Sequence, residues 1–231
     1  MTVSKQELKK KEIELRQKLS FFILILMVLS LTVCNTPSRN QVNKDPRLTL
    51  VNPANRIPDY WEQRVEFASG RNAMGEEVIA EKETLTQFES LKEALEAEGI
   101  GIDINNAWRS YEDQKAVWEE AQKLYGEDAG KHASKPGYSE YETGYAIDFL
   151  VMKDGKAIRP GEELLAEQEV LNTIHSHLPA YGFIVRILPG KEEICGGLEA
   201  LPWHIRYVGP EAAQAIADQG IVLEEYLSQK Q

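Results

Sequence analysis

Apolar and polar positions divide this chain into two regimes. Leu19 to Cys34 reads LSFFILILMVLSLTVC, sixteen residues without a charge. Beyond residue 47 the apolar positions become short and periodic. LTLV at 48–51 reads as a short strand. Leu85, Phe88, Leu91 and Leu95 recur at helical spacing and stop before Gly99, which predicts a helix with one face inward and a glycine cap. Ile100, Ile102 and Ile104 alternate with Gly101 and Asp103, the pattern of a half-buried strand. Ser110 and Asp113 have the spacing of a capping box, opening a helix to about Tyr125. Tyr145 to Met152 reads as strand ending at the Asp154-Gly155 turn, 162–178 as helix, Phe183 to Leu188 and Trp203 to Val208 as strands, and the Ala-rich and LEEYL segments as closing helices.

Helices and strands mixed without a regular βαβ rhythm predict an α+β fold: a single domain with a mainly antiparallel sheet flanked by helices. The apolar run adds an N-terminal transmembrane anchor. Sixteen residues at ~1.5 Å rise reach ~24 Å, somewhat short of a ~30 Å hydrocarbon core, so anchor and signal segment both fit. No A-x-A cleavage site follows the run, and Val33 is bulky for a lipoprotein box ending at Cys34, which favours an uncleaved anchor. A buried core helix would show a polar face, and this run has none.

Charge sharpens that division. Residues 1–18 carry six Lys/Arg against three Glu, so a net −11 for the chain leaves −14 on the remainder. The basic flank keeps the short tail in the cytoplasm and exports the chain beyond the apolar run. The expected organisation is a cytoplasmic basic tail at 1–18, a transmembrane anchor or signal segment at 19–34, a linker at 35–47 and a folded domain at 48–231. The expected location is the cell membrane, single-pass, with the C-terminal domain extracytoplasmic. An acidic domain without a basic stripe excludes nucleic acid as partner. The two cysteines, Cys34 and Cys195, make neither a disulfide framework nor a metal-binding cluster.

Three stretches place ligand-type residues at the edges of apolar strands: AWRSYEDQ, PGYSEYETGYAIDF and LPWHIRYVG. Together they resemble the VanY-type D-alanyl-D-alanine carboxypeptidases, zinc enzymes that remove the terminal D-alanine of peptidoglycan stem peptides. LTLVN, RSYEDQ, YGFIVR and LEEYL fall in family order, so the resemblance runs from about Leu48 to Leu227. It implies a metal site of pattern S-x-H-x-x-G-x-A-x-D, for which this chain supplies Ser139, Gly144, Ala146 and Asp148 but has Tyr141 in place of the His. The family's E-P-W-H, with Glu as general base and His as third ligand, is here Leu201, Pro202, Trp203 and His204.

Those two departures govern the expected function. A catalytic zinc takes three protein ligands and a water, and only Asp148 and His204 remain in pattern. Losing even an outer partner costs about 10- to 100-fold, so zinc is expected to be weak or absent. A general base is worth ~10²- to 10⁴-fold, and Leu201 cannot accept a proton. The expectation is a non-catalytic domain that recognises the stem peptide through Arg109, Gln114, Ser139 and Trp203. Arg109 matches the family's R-S-Y arginine, and its guanidinium suits a carboxylate.

Several alternatives stay open on sequence alone. Tyr141 could ligate zinc as a phenolate, Asp148 and His204 could form a metal-free hydrogen-bonded pair, Arg109 could pair with Glu112 or Asp113 at the surface, and Trp203 could be core. His132, His175 and His177 occupy no family ligand position, while Glu140, Glu142 and Glu199 are expected to face solvent. Pro136 and Gly137 are expected to shape the loop before Ser139. The competing functions are an active zinc carboxypeptidase with an altered site and a membrane-tethered protein-interaction module.

Overall fold

The computed structural model describes residues 45–230; the basic tail, the apolar segment and most of the linker lie outside them. Among the described residues no helix is long and apolar enough to cross a membrane. The elements run β1 (Phe67–Arg71), β2 (Glu77–Glu81), α1 (Lys82–Ala97), β3 (Gly101–Asn106), α2 (Tyr111–Tyr125), α3 (Ala129–His132), β4 (Ala146–Lys153), β5 (Lys156–Ile158), α4 (Glu162–Leu165), α5 (Gln168–His177), β6 (Phe183–Val185), β7 (His204–Tyr207), α6 (Pro210–Gln219) and α7 (Leu223–Ser228), with short 3-10 turns between.

The main sheet has the order β3-β4-β7-β6, every pairing antiparallel, and β5 pairs with the end of β4. This is the expected α+β domain. On β4 the core takes Ile147, Phe149 and Val151, on β7 Ile205 and Tyr207, and on β3 Ile102 and Ile104. The period of two therefore turns Asp148, His204 and Arg206 to the opposite face. Helix α1 buries Phe88, Leu91 and Leu95 completely, each worth ~1.5–3 kcal/mol against exposure. Its amino end is capped by the Glu81 carboxylate, which accepts the Thr84 N–H at 2.9 Å. Helix α2 has the predicted capping box: Ser110 Oγ accepts from the Asp113 N–H at 3.1 Å.

Some expected elements differ. LTLV is not a strand: Pro46–Leu48 form a 3-10 turn, and Leu48 and Leu50 pack on the α6–α7 cluster instead of joining the sheet. The expected helix over 162–178 is broken into α4 and α5, and the strand from Phe183 ends at Val185. The β1–β2 hairpin, whose loop turns at Gly75 with φ +78°, was not anticipated.

Candidate functional site

Register brings the ligand-type residues together. Asn106 is the cross-strand partner of Asp148, and Asp148 that of His204, so three side chains stand in one row across β3, β4 and β7. The β3–β4 register shifts between Ile104 and Asn106, the kind of irregularity that re-aims a side chain beside a site. Tyr141 comes from the 3-10 turn Glu140–Thr143, which Gly144 closes at φ +80°. A Cβ on Gly144 would stand 2.6 Å from Phe67 Cε1 and 3.0 Å from Glu81 N, so only glycine lets this turn seat against β2. Glu142 holds the preceding loop, accepting from the Gly137 N–H at 2.7 Å and the Ser139 N–H at 3.2 Å.

The Tyr141 hydroxyl donates to the Asp148 carboxylate, with 2.7 Å to each oxygen, and lies 3.1 Å from His204 Nδ1. His204 Nδ1 is itself 2.9 Å from Asp148 Oδ1. Burial and the Asp148 charge push the phenol well above its ordinary range, so in this hydrogen-bonded row it is protonated and donates. Burial would push the imidazole of His204 down, but its bond to Asp148 and the Glu140 carboxylate outweigh this and raise it to about 9. Glu140 Oε2 is 3.7 Å from His204 Nε2, an ion-pair contact longer than a hydrogen bond.

Beneath this row lies a buried charge network. Glu140 Oε1 accepts from Arg186 Nε at 2.7 Å and from Arg206 Nη1 at 3.2 Å. Arg186 also forks onto Glu224 at 2.6 and 2.9 Å. Burial alone would raise Glu140, but Arg186 and Arg206 hold its carboxyl at about 2. The expectation that Glu140 and Glu142 face solvent is therefore corrected: both are buried, because each has charged or N–H partners inside. Glu199 is exposed, yet it lines the cleft described below, 3.3 Å from His132 Nδ1.

Arg109, Gln114, Ser139, Tyr141, Asp148, Leu201 and His204 all line one cleft of about 340 Å³. The Arg109 guanidinium sits 4.1 Å from the centroid of the Tyr141 ring. It also donates to Asn106 Oδ1 at 3.3 Å and Gln114 Oε1 at 3.1 Å, rather than to Glu112 or Asp113. Gln114 is buried and donates onward to the Ser134 carbonyl at 2.7 Å. Trp203 does not wall this cleft: it is 7% exposed and packs in the main core, since its place before β7 puts it on the apolar side. Sequence reasoning missed the Arg186–Glu140–Arg206 network and the bond between His175 Nε2 and the Pro202 carbonyl at 2.7 Å, which fixes the segment leading into His204. The available signal was an arginine inside each of two apolar strands, which demands a buried acid.

Fold and row together define an α+β domain of the zinc D,D-peptidase kind. The model of the VanY D-alanyl-D-alanine carboxypeptidase family matches residues 77–210, and the chain belongs to that family. YodJ of Bacillus subtilis is 31% identical over 191 residues, which cover 80% of this chain and 68% of that protein. VanYB in complex with D-alanine-D-alanine is similar at TM-score 0.66 and 29% identity, over 80% of this chain and 99% of that one. A VanY D,D-pentapeptidase in complex with Zn(II) is similar at TM-score 0.64 and 30% identity, over 79% and 99%.

The donor set of this chain departs from that of a three-ligand zinc, with Tyr141 standing beside Asp148 and His204. Among the described residues no three His, Cys, Asp or Glu side chains are grouped to hold a metal ion. A zinc bonded to Asp148 and His204 would need ~2.0–2.2 Å to each, close to where the Tyr141 hydroxyl already stands.

Proposed function

We propose that this chain is a membrane-anchored, extracytoplasmic member of the family that binds peptidoglycan stem peptides ending in D-Ala-D-Ala without hydrolysing them. The observation that carries the reading is the Tyr141 hydroxyl, hydrogen-bonded to both residues left in the ligand pattern. Leu201 compounds it. A water in the cleft would meet no zinc to lower its pKa; of the lining carboxylates, Asp148 is held by Tyr141 and His204, Glu140 by Arg186 and Arg206, and Glu199 stands beside His132, so none is placed as the missing base, and each loss is a large factor in rate.

Recognition needs neither. Arg109 offers a planar donor fork held by Tyr141, Asn106 and Gln114, so little side-chain entropy is lost when a carboxylate arrives. The relative bound to D-alanine-D-alanine supports a ligand of this type. Anchoring rests on residues 19–34 and their basic flank alone.

The test is D-alanine release from a stem pentapeptide by the full chain in detergent, with zinc, beside a Tyr141→His, Leu201→Glu double variant. Binding is followed in parallel by calorimetry. The expected result is binding without release for the natural chain and zinc-dependent release for the double variant. Release by the natural chain overturns the reading.

A further inference from the structure

A second cavity of about 580 Å³ adjoins the cleft, and Lys131, Ala133, Ser134 and Tyr138 line both. The residues at the junction are not independent of the first site. The Ser134 carbonyl is held by Gln114, whose other amide atom holds Arg109, so one chain of hydrogen bonds fixes the junction relative to the guanidinium. Trp118 lines the second cavity with its other side packed near Ala121, Ala129 and Ala133, and Lys135 Nζ stands 5.8 Å from its ring centroid.

One cation lining this cavity is left without a carboxylate partner. On a protein of net charge −11, two lysines and a single carboxylate, Glu127, line it. Lys131 is paired with Asp128 at 2.7 Å, while Lys135 has no carboxylate partner among the described residues. A cation held over an indole beside an open groove presents a site for an anion next to a flat apolar surface.

We infer that this second cavity is a subsite for the amino-terminal continuation of the peptide whose end enters the cleft, and that Lys135 selects an acidic residue there. The inference rests on the stem-peptide reading above. Two observations favour a continuing peptide: the cavities share four lining residues, and the Gln114 amide ties their junction at Ser134 to the Arg109 guanidinium. Lys135 lines only the second cavity, so it reads the ligand beyond its terminal dipeptide.

The experiment compares three ligands on the full chain in detergent by calorimetry: D-Ala-D-Ala, a pentapeptide ending in D-Ala-D-Ala with glutamate at one of the three preceding positions in turn, and its glutamine counterparts. At one position the glutamate peptide should bind roughly two- to five-fold tighter than the glutamine one, the range of an exposed ion pair. That ratio should shrink with added salt. Lys135→Glu should bring it to unity or below; because Lys135 is exposed, thermal unfolding should find this variant folded. Pentapeptides that bind no tighter than the dipeptide, or a glutamate preference that survives in Lys135→Glu, overturn the subsite while leaving stem-peptide binding intact. Failure of all three ligands to bind overturns the stem-peptide reading and this inference with it.

Discussion

If the Tyr141 hydroxyl takes the place of a metal cross-link, its removal must cost stability, and zinc must be irrelevant until an imidazole is restored. Tyr141→Phe keeps the ring under Arg109 and deletes only the hydroxyl that joins β4 to β7. Asp148 would retain His204 Nδ1 at 2.9 Å and Asn106 Nδ2 at 3.4 Å, so the loss is one hydrogen bond to a charged acceptor, about 2 kcal/mol. At about 2–4 °C per kcal/mol for a domain of this size, Tm should fall by roughly 4–8 °C. Tyr141→His creates the opposite case: zinc at about 100 times its Kd should stabilise that variant by about 2.7 kcal/mol. Thermal unfolding of the natural chain and both variants, each with zinc and with EDTA, measures all of this. A Phe variant as stable as the natural chain, or a natural chain that zinc stabilises as much as the His variant, would refute the reasoning.

The buried Glu140 is held at about 2 against an ordinary 4.5, so its contribution is present above pH 4.5 and lost as pH falls toward 2. Urea midpoints across that range should drop steeply, and Glu140→Gln should flatten this acid limb while costing about 3–5 kcal/mol at pH 7 by leaving Arg206 and part of Arg186 unpaired. Gly144→Ala should destabilise by about 2 kcal/mol or more, through positive φ and the clash with Phe67, read by the same denaturation. Burial pushes the Cys195 thiol up to about 12, so in a Cys34→Ser background a thiol reagent at pH 8 should label it only after unfolding.

The elements visible in the sequence are those whose local pattern and tertiary role agree. The α1 face, the α2 capping box and the alternation of β3 and β4 each repeat over several turns or pairs, so the core they build is legible residue by residue. The β1 strand FASGR carries small and polar residues on a two-stranded hairpin outside the main sheet, and no alternation announces it. LTLV misleads for the opposite reason: its leucines are apolar because they cover α6 and α7, not because their backbone enters a ladder. At the site, seven residues of the three motifs line one cleft while Trp203 packs in the core, and the carboxylates of Glu140 and Glu142 were misjudged. Arg186 and Arg206, the partners that make burial of Glu140 tolerable, lie 46 and 66 residues away in sequence.

The geometry also shows how this pocket can hold its shape on hydrogen bonds and ion pairs. In a zinc site the ion joins the strands that carry its ligands, and removing it leaves like-charged or lone-pair groups facing one another. Here Tyr141 supplies a donor between Asp148 and His204, so the row closes on hydrogen bonds alone. The second support lies below: Glu140, two fully buried arginines and Glu224 tie the Tyr141 turn to β6, β7 and α7 without any group that a metal would need. The two supports meet at adjacent residues, Glu140 and Tyr141, on one short turn whose shape Gly144 sets. Arg109 rests on the same turn through its contact with the Tyr141 ring and its own N–H, which donates to the Tyr141 carbonyl at 3.3 Å. On the reading proposed above, the tyrosine that stands in the ligand pattern also holds the arginine in the cleft, so one side chain would bear on both the chemistry and the binding surface.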